Sequence, residues 1–312
     1  MKWQNFRAYK TPLPYHFITE ESMFISDAVK LFLEERMAMR YSPHTIRDYM
    51  VTFKKFLAYF GDVEIETLNK QHIIRFMASQ SNVSAKTLRN YHADLSALWQ
   101  WAIQQGVCSE NPVRQMKAPV AEKKTIIPLS KVEVSALLES ASQSLYPYRD
   151  RAIILTLLDT GIRATELCNL QIKDINRITG HIRVIGKGKK ERLVPISTET
   201  IAAIDEYLEI RGENTQTSPL FARKSGKPLD RCKLRKTLAE LGNKSSVSHV
   251  FPHRFRHTFA IQFLRNGGNI YSLQKILGHS TLDMVKRYLA IAQYDVDHDH
   301  AIASPVKCWN LV

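Results

Sequence analysis

The sequence predicts two domains, the first all-helical and the second mainly helical with a small antiparallel sheet (mixed α+β). A length of 312 residues favours two domains over one. Apolar residues recur at helical spacing in the first third, and two short β-type segments flank a glycine-rich turn further on. A proline-marked segment separates these two patterns. The predicted divisions are a helical domain at 20–107, a linker at 108–129, a mixed domain at 130–294 and a tail at 295–312.

Four helical segments make up the first domain. Ser42 is a predicted N-cap with Pro43 at the first helical position, and Ser84 is a second N-cap. Glycine ends the two helices that these serines begin, because it adopts the left-handed conformation of a helix end. The predicted segments are 26–37, a helix from Ser42 to Gly61, one near 70–79, and a helix from Ser84 to Gly106.

The second domain begins with a capping box, in which Ser130 and Glu133 satisfy the first backbone amides of a helix. Two predicted strands, 181–185 and 192–196, flank a Gly-Lys-Gly-Lys turn at 186–189. The other predicted helices lie at 148–159, at 165–170, from Thr198, from Asp230, from Pro252, at 273–277 and at 282–292.

The chain is strongly basic, with 44 Lys and Arg against 30 Asp and Glu, a net charge of +14. This excess favours a nucleic acid as partner, with an anionic membrane surface second. There is no apolar segment of membrane-spanning length and no signal peptide, so we expect a cytoplasmic protein, nucleoid-associated when bound to DNA. The cysteines are scattered without a CxxC pair and are expected to be reduced thiols: Cys108, Cys168, Cys232 and Cys308.

Single polar residues of the second domain have ordinary explanations. Arg163 would be a solvated residue at a helix start, Lys187 an exposed hairpin lysine, and Tyr288 a core residue at helical spacing. His253 and His257 have the spacing of metal ligands, but the arginines between them would repel a cation, so no metal and no cofactor are expected.

Taken together, these residues indicate phosphoryl transfer without a metal ion. Guanidinium groups clamp a phosphodiester under attack, because its developing charge lies on the non-bridging oxygens. A lysine on a turn can protonate the leaving oxygen. A tyrosine nucleophile forms a covalent intermediate that conserves the energy of the broken bond.

At this point the sequence resembles a known family, the tyrosine recombinases or phage integrases. The motifs that carry the resemblance are T-G-I-R at 160–163, G-K-G at 186–188, H-R-F-R-H at 253–257, L-G-H at 277–279 and Tyr288, nine residues after His279. It extends more loosely over residues 22–294. Phe255 is a departure, since leucine is commoner there, and we interpret it as a packing change.

The resemblance implies a SAM-like four-helix bundle followed by a catalytic domain of the recombinase type. The catalytic roles that it implies are phosphate binding by Arg163, Arg256 and His279, general acid catalysis by Lys187, proton transfer from the tyrosine assisted by His253, and nucleophilic attack by Tyr288. Glu166 would orient the neighbouring basic groups.

The resemblance also implies the partners: double-stranded DNA with an inverted-repeat core site, a homotetramer on two duplexes that passes through a Holliday junction, and accessory DNA-bending or directionality proteins. The tail at 295–312 would dock onto a neighbouring protomer. In the family the helical domain closes around DNA. The candidate DNA contacts of this domain are His44, Thr45, Arg47, Lys55, Lys86, Thr87, Arg89 and Asn90. For each of them the alternative is an ordinary residue on a solvated helix face.

Two other functions fit the same motifs. A type IB topoisomerase uses similar chemistry without pairing two sites, and a catalytically idle regulator could use the same fold to bind DNA. The presence of Arg163, Lys187, Arg256 and Tyr288 argues against the idle regulator.

Overall fold

The chain divides into two compact units, at 1–124 and 125–312. The computed structural model describes residues 22–120, 127–186, 188, 190–212, 215–279, 281, 282, 285, 286, 288, 289, 300 and 304–309. Residues 1–21 therefore lie outside the described residues, as do Lys187 and much of the predicted helix at 282–292. None of the helices described is long and apolar enough to cross a membrane.

Within residues 22–120, the first unit has four α-helices, as the sequence predicts. They are α1 (Ile25–Ala38), α2 (Pro43–Phe60), α3 (Lys70–Ser79) and α4 (Ala85–Gln104), with one 3-10 turn at Ile65–Thr67. Both predicted serine caps form: Ser42 Oγ accepts from the Thr45 amide at 3.1 Å, and Ser84 Oγ accepts from the Thr87 amide at 3.2 Å. The N-termini of α2 and α4 are thus fixed by local hydrogen bonds.

Aromatic rings fill the core of this unit. The Phe56 ring lies edge-on to Trp99, with centroids 5.7 Å apart, and Phe32 and Phe53 meet in the same way. The segment after α4 returns to this core, where Val113 is fully buried and its carbonyl lies 3.1 Å from His92 Nε2. Part of the predicted linker therefore packs with the helical unit.

The second unit contains α-helices and a small sheet. Its elements are α5 (Lys131–Ser142), α6 (Pro147–Thr160), α7 (Ala164–Asn169), β1 (Ile175–Asn176), β2 (His181–Ile185), β3 (Glu191–Pro195), α8 (Thr198–Arg211), α9 (Arg231–Lys244), α10 (Pro252–Arg265) and α11 (Ile270–Leu277). The three strands are antiparallel in the order β1-β2-β3, with Ile182 paired to Val194. β1 is not among the predicted strands. A final helical turn lies at Pro305–Cys308.

Helix α6 is the centre of the second core. It packs against α5, α8 and α10, and its residues Ile153, Ile154 and Leu157 are fully buried. The helix ends at Gly161, whose φ of 59° is in the left-handed region, and a Cβ there would collide with the Phe259 ring. Only glycine satisfies both conditions, and this turn directs the chain into the segment that carries Arg163.

The segment that leads into α5 is bound to α10. The buried side chain of Arg254 donates to the carbonyls of Ile127, Pro128 and Ser248 at 3.1, 3.3 and 2.7 Å, and to Glu133 at 2.8 Å. The Leu129 amide donates to Thr258 Oγ1 at 2.8 Å. Two residues of α10 therefore fix residues 127–129.

Candidate active site

Arg256, on α10, is the most buried cation of the site, at 3% exposure. Its Nη1 donates to the carbonyl of Gly161 at 2.7 Å, and its Nη2 donates to the carbonyl of Leu277 at 2.7 Å. The same Nη2 lies 2.7 Å from His279 Nε2. Because arginine has only donors, His279 Nε2 must be the acceptor, so its proton is on Nδ1. That Nδ1 is buried without a hydrogen-bond partner among the residues described.

Glu166 connects two further arginines to this centre. It accepts from the backbone amide of Arg163 at 2.7 Å, from Arg163 Nη1 at 3.0 Å, and from both terminal nitrogens of Arg192 at 2.9 Å. Arg192 also donates to the carbonyl of Ile276, and Arg163 to that of Gly278 at 3.3 Å. The Arg163 side chain stays 36% exposed, so it can meet a ligand that approaches from solvent.

Tyr288 lies in the same cluster and is 3% exposed. Its hydroxyl is 2.9 Å from His257 Nδ1. Its ring lies almost parallel to that of His279, with 13° between the planes and 6.4 Å between the centroids. His279 therefore contacts both the Tyr288 ring and the Arg256 guanidinium.

The pKa values of the cluster show an excess of positive charge. Burial and the charge of Arg163 lower the pKa of Arg256 to about 10. Burial, followed by the arginine charges, lowers the pKa of His279 to about 4. Burial alone would raise the pKa of Glu166, but hydrogen bonds from Arg192 and the Arg163 amide outweigh it and hold that pKa low. An anion bound here would relieve this mutual repulsion, since it would interact with several cations at once.

Profiles of known protein families match both units of the chain. The profile of the phage integrase family matches residues 128–294, and the profile of the N-terminal SAM-like domain of phage integrases matches residues 29–106. The chain belongs to the phage integrase family, the tyrosine recombinases. The mainly helical fold with its small antiparallel sheet, inferred from the sequence, is confirmed.

Individual relatives cover most of the chain. It is 32% identical to tyrosine recombinase XerC of Pelobacter propionicus, over 85% of this chain and 90% of the relative. It is 30% identical to tyrosine recombinase XerD of Staphylococcus haemolyticus, over 82% of this chain and 90% of that relative. The structure of the Tn1549 transposon integrase in complex with transposon right end DNA has a similar fold, with a TM-score of 0.76 and 21% identity. The match covers 90% of this chain and 100% of the integrase chain. The topoisomerase alternative is not favoured by these relatives.

In this tyrosine recombinase, five of the predicted site residues lie together: Arg163, Glu166, Arg256, His279 and Tyr288. His253 is exposed on α10, one turn before His257, with 6.3 Å between the two ring centroids. The pKa of His253 is lowered by partial desolvation and then by the charges of Arg256 and Arg163.

The G-K-G turn borders the cluster. Lys187 itself is outside the described residues, but a Cβ built on the preceding Gly186 would lie 3.6 Å from Arg192 Nη1 and 3.7 Å from Glu166 Oε1. The residue before Lys187 is therefore adjacent to the arginines.

Sequence reasoning did not assign a role to Arg192 or to His257. Arg192 begins the second predicted strand, and His257 ends the H-R-F-R-H motif, where it was considered only as a metal ligand. Their contacts depend on tertiary packing, because Arg192 meets Glu166 from 26 residues away and His257 meets Tyr288 from 31. For His257, the signal in the sequence was its place in the H-R-F-R-H motif, which could have been paired with the motif tyrosine, Tyr288.

The proposed DNA contacts of the first unit lie mainly at the N-terminal ends of α2 and α4. Thr45 and Thr87 bond to the cap serines through their hydroxyls, at 2.8 and 2.9 Å. Lys55 lies over the Tyr91 ring at 5.3 Å, and the His44 ring is 2.9 Å from Asp48. The members of the set that are exposed are His44, Arg47, Lys86, Arg89 and Asn90.

Proposed function

We propose that this recombinase cleaves and rejoins DNA at specific sites with Tyr288 as nucleophile. One observation carries the proposal: Tyr288 lies in the cluster that contains the guanidinium groups of three arginines. Its hydroxyl is next to His257, and its ring is next to His279, which accepts from Arg256. A nucleophile beside preorganised cations is what attack on a phosphodiester requires.

In the proposed reaction, Arg163 and Arg256 bind the non-bridging oxygens of the scissile phosphate. Arg256 is held by the carbonyls of Gly161 and Leu277, so little reorganisation is needed when charge develops. Glu166 is engaged by Arg163 and Arg192 and keeps these groups in place. His279, whose proton is on Nδ1 while Nε2 accepts from Arg256, would also contact the phosphate. Tyr288 Oη then bonds to phosphorus, and the 5′-oxygen leaves as a hydroxyl.

Lys187 would supply the proton for that 5′-oxygen. The position of Gly186 beside Glu166 and Arg192 supports this role, because Lys187 follows Gly186 directly in the sequence. The result is a 3′-phosphotyrosine and a free 5′-hydroxyl, which a second strand can replace without ATP. Repetition on both strands of two duplexes gives a Holliday junction and then recombinants.

This reaction needs two duplexes and four protomers, so we propose a homotetramer on inverted-repeat core sites in the nucleoid, with accessory DNA-bending or directionality proteins at some sites. The helical unit would contact DNA through the exposed residues at the starts of α2 and α4. The tail would dock on a neighbouring protomer. Trp309 and Val306 support this docking, because they are 71% and 55% exposed and would gain from burial.

The decisive experiment replaces Tyr288 by Phe. The aromatic body still packs, so duplex binding should be nearly unchanged, while covalent attachment to DNA is abolished because the nucleophilic oxygen is missing. A suicide substrate that traps the adduct measures the loss, and a gel-shift assay measures binding. Trapping of the variant on DNA would show that another residue is the nucleophile.

A second experiment tests the proton donor. Replacement of Lys187 by Ala should slow cleavage of ordinary DNA by about 10²–10⁴-fold, the usual contribution of general acid catalysis. A substrate with sulfur at the bridging 5′ position has a leaving group that needs no proton, so it should recover much of the rate. Equal defects on the two substrates would remove Lys187 from this role.

A further inference from the structure

The proton of the Tyr288 hydroxyl must leave as its oxygen attacks phosphorus, and the structure indicates where it goes. We propose that His257 accepts this proton during strand cleavage and returns it during rejoining. The inference rests on the proposed function, because it assumes Tyr288 as nucleophile. It differs from the assignment that the family resemblance gives, in which His253 assists the tyrosine.

The geometry places His257 directly on the reacting atom. Its Nδ1 is 2.9 Å from Tyr288 Oη, within the range of a hydrogen bond that can transfer a proton. His257 follows Arg256 in α10, so consecutive residues of one helix position the phosphate clamp and the proton acceptor. Tyr288 is 3% exposed, so bulk water has little access to the hydroxyl.

The protonation state of His257 fits the role. Burial, and then the charges of His253 and Arg256, lower the pKa of His257 to about 4, so the ring is neutral at pH 7. With the proton on Nε2, Nδ1 has a lone pair directed at Oη. A phosphate bound at Arg256 adds negative charge nearby and raises the basicity of the ring when the proton is transferred.

The other two histidines are less suitable. The His279 ring lies almost parallel to the tyrosine ring, and its Nε2 already accepts from Arg256. His253 is exposed, with its ring centroid 6.3 Å from that of His257. Its position on the same helix makes His253 a matched control for His257.

The step is balanced as follows. The Oη–P bond forms as the P–O5′ bond breaks, the phenolic proton moves to His257 Nδ1, and O5′ takes a proton from the general acid, proposed as Lys187. In rejoining, a 5′-hydroxyl attacks phosphorus and gives its proton to the group proposed as Lys187, the P–Oη bond breaks, and the proton on His257 returns to Oη. His257 therefore carries the extra proton, and its positive charge, only in the interval between cleavage and rejoining.

The test uses the full-length protein with His257→Gln, His257→Asn and the control His253→Gln. Adduct formation is followed under single-turnover conditions, on ordinary suicide DNA and on DNA with a bridging 5′-sulfur, from neutral to alkaline pH. Gel shifts and thermal unfolding establish that each variant binds DNA and is folded. Gln and Asn keep a hydrogen-bonding group but cannot take up a proton.

We expect both His257 variants to form the adduct about 10²–10⁴-fold more slowly at neutral pH. Sulfur substitution should not rescue them, because it bypasses only the acid step. Their defect should shrink as pH approaches the ordinary tyrosine pKa of about 10, where the phenol ionises without a base. His253→Gln should lose less than either His257 variant.

Two results would overturn the inference. Folded His257 variants that form the adduct at the rate of the unmodified protein or faster would show that the contact only holds the resting tyrosine. A larger loss in His253→Gln than in both His257 variants would return the role to His253. Failure of the proposed function is separate, since the unmodified protein would then form no adduct through Tyr288.

Discussion

The two units of this recombinase bury different kinds of side chain. The first has a core of stacked and edge-on aromatic rings, and its buried polar residues, within the described part of the chain, are Thr52 and Asn111. The second buries the charged residues Arg149, Asp150, Glu166, Asp174, Arg254 and Arg256.

The aromatic core contributes to the stability of the first unit, whereas the buried charges of the second unit serve its chemistry. Burying a charge costs free energy unless hydrogen bonds and opposite charges compensate for it, whereas burying a ring is favourable without a partner. In the second unit the compensation is visible in the carbonyls around Arg256 and the two arginines around Glu166. The second unit keeps its arginines in place for a phosphate. The backbone carbonyls around Arg256 and the carboxylate of Glu166 compensate for the cost of burying these cations.

The largest expected effects come from removing that carboxylate and, in the first unit, a ring of the aromatic core. Glu166→Ala leaves Arg163 and Arg192 without their shared partner, so we expect the second unit to lose about 3 kcal/mol, typical of a broken buried ion pair. Denaturant unfolding followed by circular dichroism measures the loss. The matched change in the first unit is Phe56→Ala, which should cost about 3–5 kcal/mol there by creating a cavity.

The two variants should destabilise different units. Fluorescence from Trp99 and Trp101, which are buried in the first unit, should shift for Phe56→Ala and stay unchanged for Glu166→Ala. If both variants shifted the tryptophan signal equally, the units would unfold as one and the comparison would fail.

Acid should affect the two units in opposite directions. Burial and nearby charge lower the pKa of His257 and His279 to about 4 from 6.5, so the unfolded chain binds more protons between these values. The free energy of unfolding of the second unit should therefore fall as pH decreases from 6.5 to 4.

In the first unit, burial and the charge of Asp48 raise the pKa of Asp94, outweighing a hydrogen bond from Thr52. This carboxyl loses its stabilising contribution as pH rises through its folded-state pKa.

Unfolding at several pH values, with tryptophan fluorescence for the first unit and circular dichroism for the whole chain, checks these signs. A second unit that became more stable on acidification would contradict the neutral state assigned to the two histidines.

The smallest effect is expected at a helix cap. Ser84→Ala removes the acceptor for the Thr87 amide at the start of α4 and should cost the first unit about 1 kcal/mol. Ser84→Thr keeps a hydroxyl acceptor and is the control, so the difference in midpoint denaturant concentration between the Ala and Thr variants measures the hydrogen bond. Equal midpoints for these two variants would show that the hydroxyl adds nothing at this position.

Local signals explain why so much of the fold was predictable. The serine caps, glycine ends and apolar spacing give α2 as Pro43–Phe60 and α4 as Ala85–Gln104, close to the predicted bounds. The strand pair was also predicted to within a residue, with β3 at Glu191–Pro195 and not 192–196. β1 was missed because two residues carry no periodicity, and its pairing with β2 depends on tertiary context.

The site was less predictable than the fold. Motif spacing brings Arg163, Arg256, His279 and Tyr288 to one place, but it does not say which nitrogen faces which oxygen. The contact of His257 with the tyrosine and that of Arg192 with Glu166 depend on how α10 and β3 pack. Such contacts follow from three-dimensional arrangement and leave no mark in the spacing of a single sequence.

The bonds of Arg254 have a practical consequence for isolating the second unit. A fragment that begins at residue 130, the predicted domain start, lacks the Ile127 and Pro128 carbonyls and the Leu129 amide. It would leave a buried guanidinium with two acceptors fewer and a threonine hydroxyl without its donor, on the helix that carries Arg256 and His257. A fragment that begins at residue 125, where the second compact unit begins, keeps all three groups. Loss of activity in the shorter fragment, with activity retained in the longer one, would thus reflect a damaged helix, and not the absence of the first unit.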